Sequence, residues 1–172
     1  MIADLKPYPE YKKSGLPWVE RVPEHWRVER LGALGRFSAS GIDKKTVSGQ
    51  PLVKMVNYLD IYRNPTHELW AKMRRMVVSC PEEKKRIHNA EQGDMFFTPS
   101  SETTEDIGWS AVAMEDLPET VYSYHVIRFR SHEPIDLLFR RFLCNNAFVL
   151  NQFSRASRGT TRKILDLSLI HI

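Results

Sequence analysis

The sequence predicts an α+β fold, a mixed or antiparallel sheet with a few short helices. Three observations point there. Several short runs are rich in β-branched and aromatic residues. Helix-compatible stretches fall irregularly between them, without the strand–helix alternation of a parallel α/β sheet. One segment, residues 134–143, carries an apolar stripe at helical spacing.

The elements follow in order. Residues 1–25 hold Pro7, Pro9, Pro17 and Pro23, too many for a helix interior, and read as an extended arm. Its aromatics Tyr8, Tyr11, Trp18 and Trp26 are expected to pin the arm to the body by burial. Residues 26–30 alternate in a way that suits a short strand, and 31–37 suit one or two helical turns. Residues 38–50, with Gly41 and Gly49, read as a loop carrying Lys44 and Lys45. Residues 51–61 (PLVKMVNYLDI) predict a strand, with Pro51 at its start where a missing N–H is tolerated. A short helix is expected over 69–73, a strand over 76–79, and a polar helix or loop over 81–91. Residues 94–98 (DMFFT) predict a compact apolar strand after a turn at Gly93, and 99–106 a polar loop. Strands are expected over 110–114 and 122–130. In the second, Val126, Arg128 and Arg130 alternate with Ile127 and Phe129. Pro134 opens the clearest helix. Ile135, Leu138, Phe139 and Phe142 would form its buried stripe, with Arg140 and Arg141 on the other face. A second helix is expected over 147–155, and Gly159 opens the loop GTTRK.

A chain of 172 residues is the length of one domain with a sizeable core. Its 42% hydrophobic and 10% aromatic content excludes a disordered tail. No apolar run is long enough to span a membrane, and residues 1–15 lack the pattern of a secretory signal. Cys80 and Cys144 form neither a metal pair nor a disulfide framework, so two free thiols in a reducing cytoplasm are expected. The net charge of +4 conceals a pattern. Residues 1–86 hold 17 basic and 10 acidic groups, and residues 128–163 hold 8 and 2. Residues 87–127 hold 8 acidic groups and no Lys or Arg. A basic chain with an acidic middle suggests two faces, one able to meet phosphate; ordinary solvated surfaces would give the same counts.

Motifs for catalysis are not visible. The His and Cys residues never take zinc-ligand spacing, and no phosphate-cradling glycine loop or nucleophile elbow occurs. Glu82, Glu83 and Asp94 could be assembled into a nuclease site on paper, but caps and solvated surface account for them better. His125 reads as a structural histidine rather than a general base. No cofactor and no metal are expected. What remains are small polar and basic loops. Ser100, Ser101 and Thr103 in the 98–104 segment offer hydroxyls and backbone N–H groups of the kind that hold phosphate or base edges; a capped turn explains them equally well. Arg155, Arg158, Thr160, Thr161, Arg162 and Lys163 look better suited to DNA, because Arg and Lys neutralise phosphate and Arg and Thr can read bases. Lys44, Lys45, Arg74 and Arg75 are further phosphate candidates.

Several segments also carry a family resemblance. Residues 11–34 (YKKSGLPWVERVPEHWRVERLGAL) resemble the start of the specificity subunit of type I restriction–modification systems, with its Y-K-x-S-G-x-x-W arm, P-x-H-W step and K/R-L-G segment. Residues 93–103 resemble that family's G-D-x-x-F-T-x-S-S-E-T strand and loop, and 105–112 its E-x-I-G-x-x-x-V continuation. Residues 122–130 resemble its Y-x-x-H-x-x-R-x-R strand, and 153–163 the G-T-T-R loop that ends a target-recognition domain. The pieces occur in the family's order along nearly the whole chain.

The resemblance implies a non-catalytic DNA-specificity subunit. Such a subunit recognises one half of a bipartite site per recognition domain. It directs methyltransferase subunits and, through them, restriction and translocase subunits. Residues 1–25 would be the arm packed on the domain, 26–163 the target-recognition domain, and 164–172 a truncated end. Residues 167–172 (LSLIHI) also resemble a reading frame of a transposon-end adapter, which favours a chain cut short; a natural terminal strand is the alternative. Two other classes stay open. One is the recognition domain of a single-chain restriction enzyme or methyltransferase whose catalytic domain lies elsewhere. The other is a protein–protein module using the acidic segment.

Overall fold

A computed structural model describes residues 6–17, 19–62, 64–105, 107–160 and 162–165. In chain order, the arm holds β1 (Tyr11–Leu16) and β2 (Val19–Pro23). Then follow α1 (Leu31–Leu34), β3 (Gly35–Ala39), β4 (Leu52–Val56), α2 (Tyr58–Tyr62), β5 (Glu68–Leu69) and β6 (Met76–Ser79). The middle comprises α3 (Glu82–Ile87), β7 (Met95–Phe97), β8 (Ser100–Ser101), β9 (Ser110–Ala113) and β10 (Thr120–Tyr122). The last part comprises β11 (Ile127–Ser131), α4 (Leu137–Leu143), α5 (Ala147–Ala156) and β12 (Lys163–Ile164).

The main sheet has the order β3-β11-β7-β9-β5. Its first four strands pair antiparallel, and β5 joins β9 in parallel. A second sheet, β10-β4-β6, is also mixed: β10 runs parallel to β4 and β6 antiparallel to it. The α+β class and the mixed sheet are therefore as expected.

The DMFFT segment shows why the two sheets belong together. Met95, Phe96 and Phe97 have no exposed surface. Successive side chains of a strand point to opposite faces, so both faces must be covered. Met95 and Phe97 pack in one cluster with Leu31, Phe129, Val149 and Phe153. Phe96 packs in another with Val56, Ile61, Ala111 and Tyr122. Helix α5 thus covers one face of the main sheet, and strands β4 and β10 with α2 cover the other. A third cluster, Ile42, Val53, Met55, Val78, Cys80 and Val121, lies on the second sheet. Both cysteines are free and buried, and full burial pushes the Cys144 thiol well above its ordinary range.

Several expectations change in three dimensions. The 51–61 run is a strand only to Val56. Asn57 and Asp60 then cap α2 reciprocally: the Asn57 N–H donates to Asp60 Oδ2 (2.7 Å), and the Leu59 N–H donates to Asn57 Oδ1 (2.9 Å). The 122–130 run is two strands in two sheets, β10 and β11, joined by a turn at 123–126. Residues 69–73 are the end of β5 and a turn, not a helix, and residues 26–30 hold only an isolated bridge at Arg30. The 99–106 loop contains β8, which pairs with β12.

The arm differs too. It is a hairpin, β1 against β2, and Tyr8, Tyr11 and Trp26 are exposed and cluster on one another. Trp18 lies outside the described residues. Within the arm it is Val22 and Pro23 that are buried.

Helix α4 is turned the opposite way from its stripe. Leu138, Phe139 and Phe142 are 56%, 48% and 55% exposed. Leu137 and Leu143 pack against the core instead, beside buried Cys144. Arg140 donates to the carbonyls of Ile135 and Gly93, and Arg141 pairs with Glu68. The face that packs on the core is thus the one carrying Leu137, Leu143 and these two paired guanidiniums, and the aromatic stripe faces out.

Phe97→Ala should cost roughly 3–5 kcal/mol by the loss of a fully buried ring. Urea unfolding should show it as a lower midpoint at nearly unchanged slope.

Candidate nucleic-acid interface

Three loops and a turn meet at one end of the molecule. The first loop leaves β3 at Ser40. The Ser40 hydroxyl donates to the carbonyl of Tyr122 and accepts from the N–H of Ile42, whose side chain is buried. The Ile42 carbonyl in turn accepts from the N–H of Tyr124, so the loop is stitched to the 123–126 turn (3.0 Å). Asp43 then closes the loop tip: it accepts from the backbone N–H of Lys44 at 2.7 Å and pairs with Lys45 Nζ at 3.0 Å. The Lys45 hydrogen bond, followed by that of the Lys44 N–H, holds the Asp43 carboxyl below its usual range. Asp43 holds the Lys45 ammonium above its own. Lys44 stays exposed with no acidic partner recorded.

The last loop is closed on itself. Arg158 and Ile164 exchange backbone hydrogen bonds of 2.9 and 2.8 Å. Lys163 Nζ donates to the Gly159 carbonyl (2.7 Å). Gly159 has φ +112°, and a Cβ there would lie 2.1 Å from the Arg162 carbonyl oxygen, so only glycine fits. The loop is also tied to the third segment. Lys163 pairs with Ser101 and Ile164 with Ser100 across β12 and β8. The Leu165 N–H donates to the Pro99 carbonyl, and Leu165 itself is buried in the α5 cluster. Arg162 Nε donates to Ser100 Oγ at 3.2 Å.

Between the loops stands the 123–126 turn. The Tyr124 ring is 49% exposed and lies against the His125 imidazole, with ring centroids 3.8 Å apart. Burial, and then the positive charges of Lys44 and Arg162, lower the His125 pKa, and Asp43 opposes them. The field at this one ring therefore reports that the 40–45 and 158–163 loops converge.

The candidate residues sort into three groups. Lys44, Lys45, Ser100, Arg162 and Lys163 are brought together here, with Arg158 and Thr160 exposed on the same closed loop. Arg155 is exposed in the last turn of α5, just before that loop. Ser101 is buried, and its hydroxyl accepts from the Thr103 N–H (3.3 Å), so it holds the turn in shape; Thr103 itself is exposed. Arg74 is exposed on the segment before β6, whereas Arg75 is 8% exposed. Arg75 donates to the Met73 carbonyl and feels the charges of Asp60 and Glu115, and burial lowers its pKa. It is therefore withdrawn from the surface cations expected from sequence. Thr161 lies outside the described residues. Tyr124 and His125 are what the sequence reading missed at this site. The signal was the polar interruption Ser123-Tyr124-His125 inside an otherwise apolar run.

The acidic middle segment is spent elsewhere. Asp94 is 1% exposed and receives a fork from Arg130, with Nε and Nη2 each at 2.7 Å, and Glu91 pairs with the same guanidinium. The bond to Asp94 raises the Arg130 pKa. Glu115 accepts from the Ala71 N–H, Asp116 from the Gln92 N–H, and Glu119 pairs with Lys85. Glu91, Asp116 and Glu119 also line a cleft of about 1050 Å³ with Glu82, Glu83 and Lys85 of α3. Among the described residues no group of three or more His, Cys, Asp or Glu side chains could hold a metal ion. No helix there is long and apolar enough to cross a membrane.

No protein-family model matches the sequence, and no curated protein does. Solved structures do share the fold. The HsdS subunit from Thermoanaerobacter tengcongensis aligns with a TM-score of 0.57 at 13% identity, over 94% of this chain and 35% of that one. A chain from the structure of complex assembly and conformational transition of the type I R-M system aligns at 0.56 and 15% identity, over 94% and 36%. The S subunit of the type I restriction–modification system from M. genitalium aligns at 0.46 and 10% identity, over 86% and 34%. The chain spans about a third of the length of each. It has the fold of part of a type I restriction–modification specificity subunit.

Proposed function

We propose that this chain reads double-stranded DNA as the target-recognition part of a type I restriction–modification specificity subunit. It would bind one half of a bipartite site. Its partners would be the methyltransferase subunits and, through them, the restriction and translocase subunits. In this reading the chain is not an enzyme, and methyl transfer and cleavage belong to those partners.

The observation that carries the reading is the convergence at one end of the molecule. Lys44, Arg158, Arg162 and Lys163 come from loops far apart in sequence: β8–β12 pairing ties the 158–163 loop to the Ser100 segment, the Tyr124–Ile42 hydrogen bond ties the 40–45 loop to the 123–126 turn, and His125 on that turn feels the charges of both Lys44 and Arg162. Exposed Arg and Lys can neutralise phosphates and fix the register on the duplex. Arg158, Arg162 and Thr160 can also reach base edges, where Arg reads guanine through two hydrogen bonds. Arg155 at the end of α5 and Lys45 behind Asp43 extend the cationic rim. Ser100 and Thr103 offer hydroxyls beside it. Arg74 adds a surface cation outside the loops. Arg75 and Ser101 would serve the interface indirectly, as buried supports.

The acidic side chains argue against the protein–protein alternative. Asp94, Glu91, Glu115, Asp116 and Glu119 all have partners within the chain, which leaves few free carboxylates for a basic surface.

Mobility shift with a randomised duplex library tests the reading. Sequence-selective retention is expected, and equal retention of every sequence would overturn it. Arg158→Ala and Arg162→Ala should each weaken binding and make the salt dependence shallower, by about 0.9 in the log–log slope per lost phosphate contact. A slope unchanged in both would remove these residues from the interface. Gly159→Ala should weaken binding about as much as Arg162→Ala although it removes no charge, because the loop cannot close around a Cβ. Equal affinity of Gly159→Ala and wild type would show that the closed loop is not the binding form.

A further inference from the structure

The turn at 123–126 enters the reading above only through its backbone and the field at His125, and its side chains have no contact role there. Its backbone is held on both sides: the Ser123 N–H donates to the Val56 carbonyl (2.9 Å), and the Tyr124 N–H to the Ile42 carbonyl (3.0 Å). Ser123 is fully buried and Val126 is core, so the turn projects only Tyr124 and His125 outward. A half-exposed aromatic ring lying tilted against an imidazole is an unusual outward feature for a turn between two core strands. Nothing in the packing of the described residues requires it, because the neighbouring core positions are filled by Val121, Tyr122 and Val126.

We propose that the Tyr124–His125 ring pair is a DNA-contacting element of this end of the molecule, with Tyr124 laid against the duplex and His125 binding a proton as a phosphate arrives beside it. The inference rests on the DNA-reading function and deepens it, since it assigns two residues and a proton linkage to the interface.

The electrostatics fix the sign. His125 faces Lys44 and Asp43 of the first loop and Arg162 of the last, while Tyr124 on its own turn faces Lys45. In the free protein, burial and the two cations disfavour the imidazolium, so His125 is neutral near pH 7. A phosphate bound by Lys44 and Arg162 cancels their repulsion and adds attraction, which raises the pKa. Binding and protonation then favour each other, and affinity must rise as pH falls through the window between the free and bound values. Once charged, His125 counts as one more cation at the phosphate backbone.

The test uses the 172-residue chain and a labelled duplex selected from a randomised library, with affinity measured against salt and pH. For wild type, binding should strengthen and the salt slope steepen by about 0.9 between about pH 8 and about pH 6. His125→Gln should lose that change, so that its affinity and its salt slope no longer depend on pH across this interval. Its remaining histidines are those of wild type, so the difference belongs to His125. Tyr124→Ala should weaken binding by about tenfold at either pH, the effect of one well-placed contact, and Tyr124→Phe should retain it. Thermal melting separates these effects from misfolding, since both side chains lie outside the core and neither variant should shift the midpoint appreciably. Wild-type behaviour of either His125→Gln or Tyr124→Ala overturns the proposal and leaves the DNA-reading function standing. Failure of the wild-type chain to bind any duplex overturns both.

Discussion

Burial of β7 on both faces is the constraint from which the rest of the structure follows. Three consecutive apolar side chains cannot be hidden by one layer, because a strand sends neighbours to opposite sides. Met95 and Phe97 therefore call for α5 and Phe153 on one face. Phe96 calls for the second sheet and Tyr122 on the other. Each ring so covered contributes about 1.5–3 kcal/mol, which makes this region the main store of hydrophobic stability. The polar ends of the same strand are met just as fully. Asp94 at its entrance is neutralised by Arg130, and Thr98 at its exit exchanges backbone hydrogen bonds with Trp109 and Gly108.

This layering decides where the loops emerge. The chain must pass from β10 in the second sheet to β11 in the main sheet, and the crossing is the 123–126 turn. The chain must likewise return from α5 to the edge near β8, and that return is the glycine-closed loop ending in β12. Gly108 shows how tightly this region is set: a Cβ there would meet the Phe153 ring at 2.1 Å, so the backbone at Gly108 lies directly on α5. The loops that carry Lys44, Ser100, Arg158 and Arg162 are thus anchored by core residues, and β8–β12 pairing ties the last two loops to each other.

Charge is divided by the same geometry. The basic segment 128–163 divides in two. Arg128 lies over Tyr122 and donates to the Asn89 carbonyl, Arg130 is forked to Asp94, and Arg140 and Arg141 are spent on Gly93 and Glu68. Arg155, Arg158 and Arg162 remain at the surface. Net charge along the chain therefore overstates the cations available to a ligand and hides the internal use of the acidic segment. Arg158 and Arg162 remain exposed on one closed loop, where their charges act together.

By itself the sequence determined the compact DMFFT strand, the strands that begin near 52, 76 and 110, the mixed α+β class and the basic closing loop. These are local properties: β-branched and aromatic runs, a glycine at a forced left-handed position, and the density of Arg in a short stretch. It also determined the set of candidate cations, most of which the structure leaves at the surface. Only the tertiary structure decided the rest. The 122–130 run reads as one alternating strand because no glycine or proline marks a turn at Ser123-Tyr124-His125, yet packing against two sheets divides it there and turns Tyr124 and His125 outward. Arg75 and Arg74 are adjacent and alike in sequence, and only the fold buries the first, against the Met73 carbonyl, while leaving the second exposed. The stripe of α4 would bury Leu138 and Phe142 on periodicity alone. Only the tertiary structure shows that the helix packs through Leu137 and Leu143 instead, with Arg140 and Arg141 joined to the Gly93 carbonyl and Glu68, partners distant in the chain.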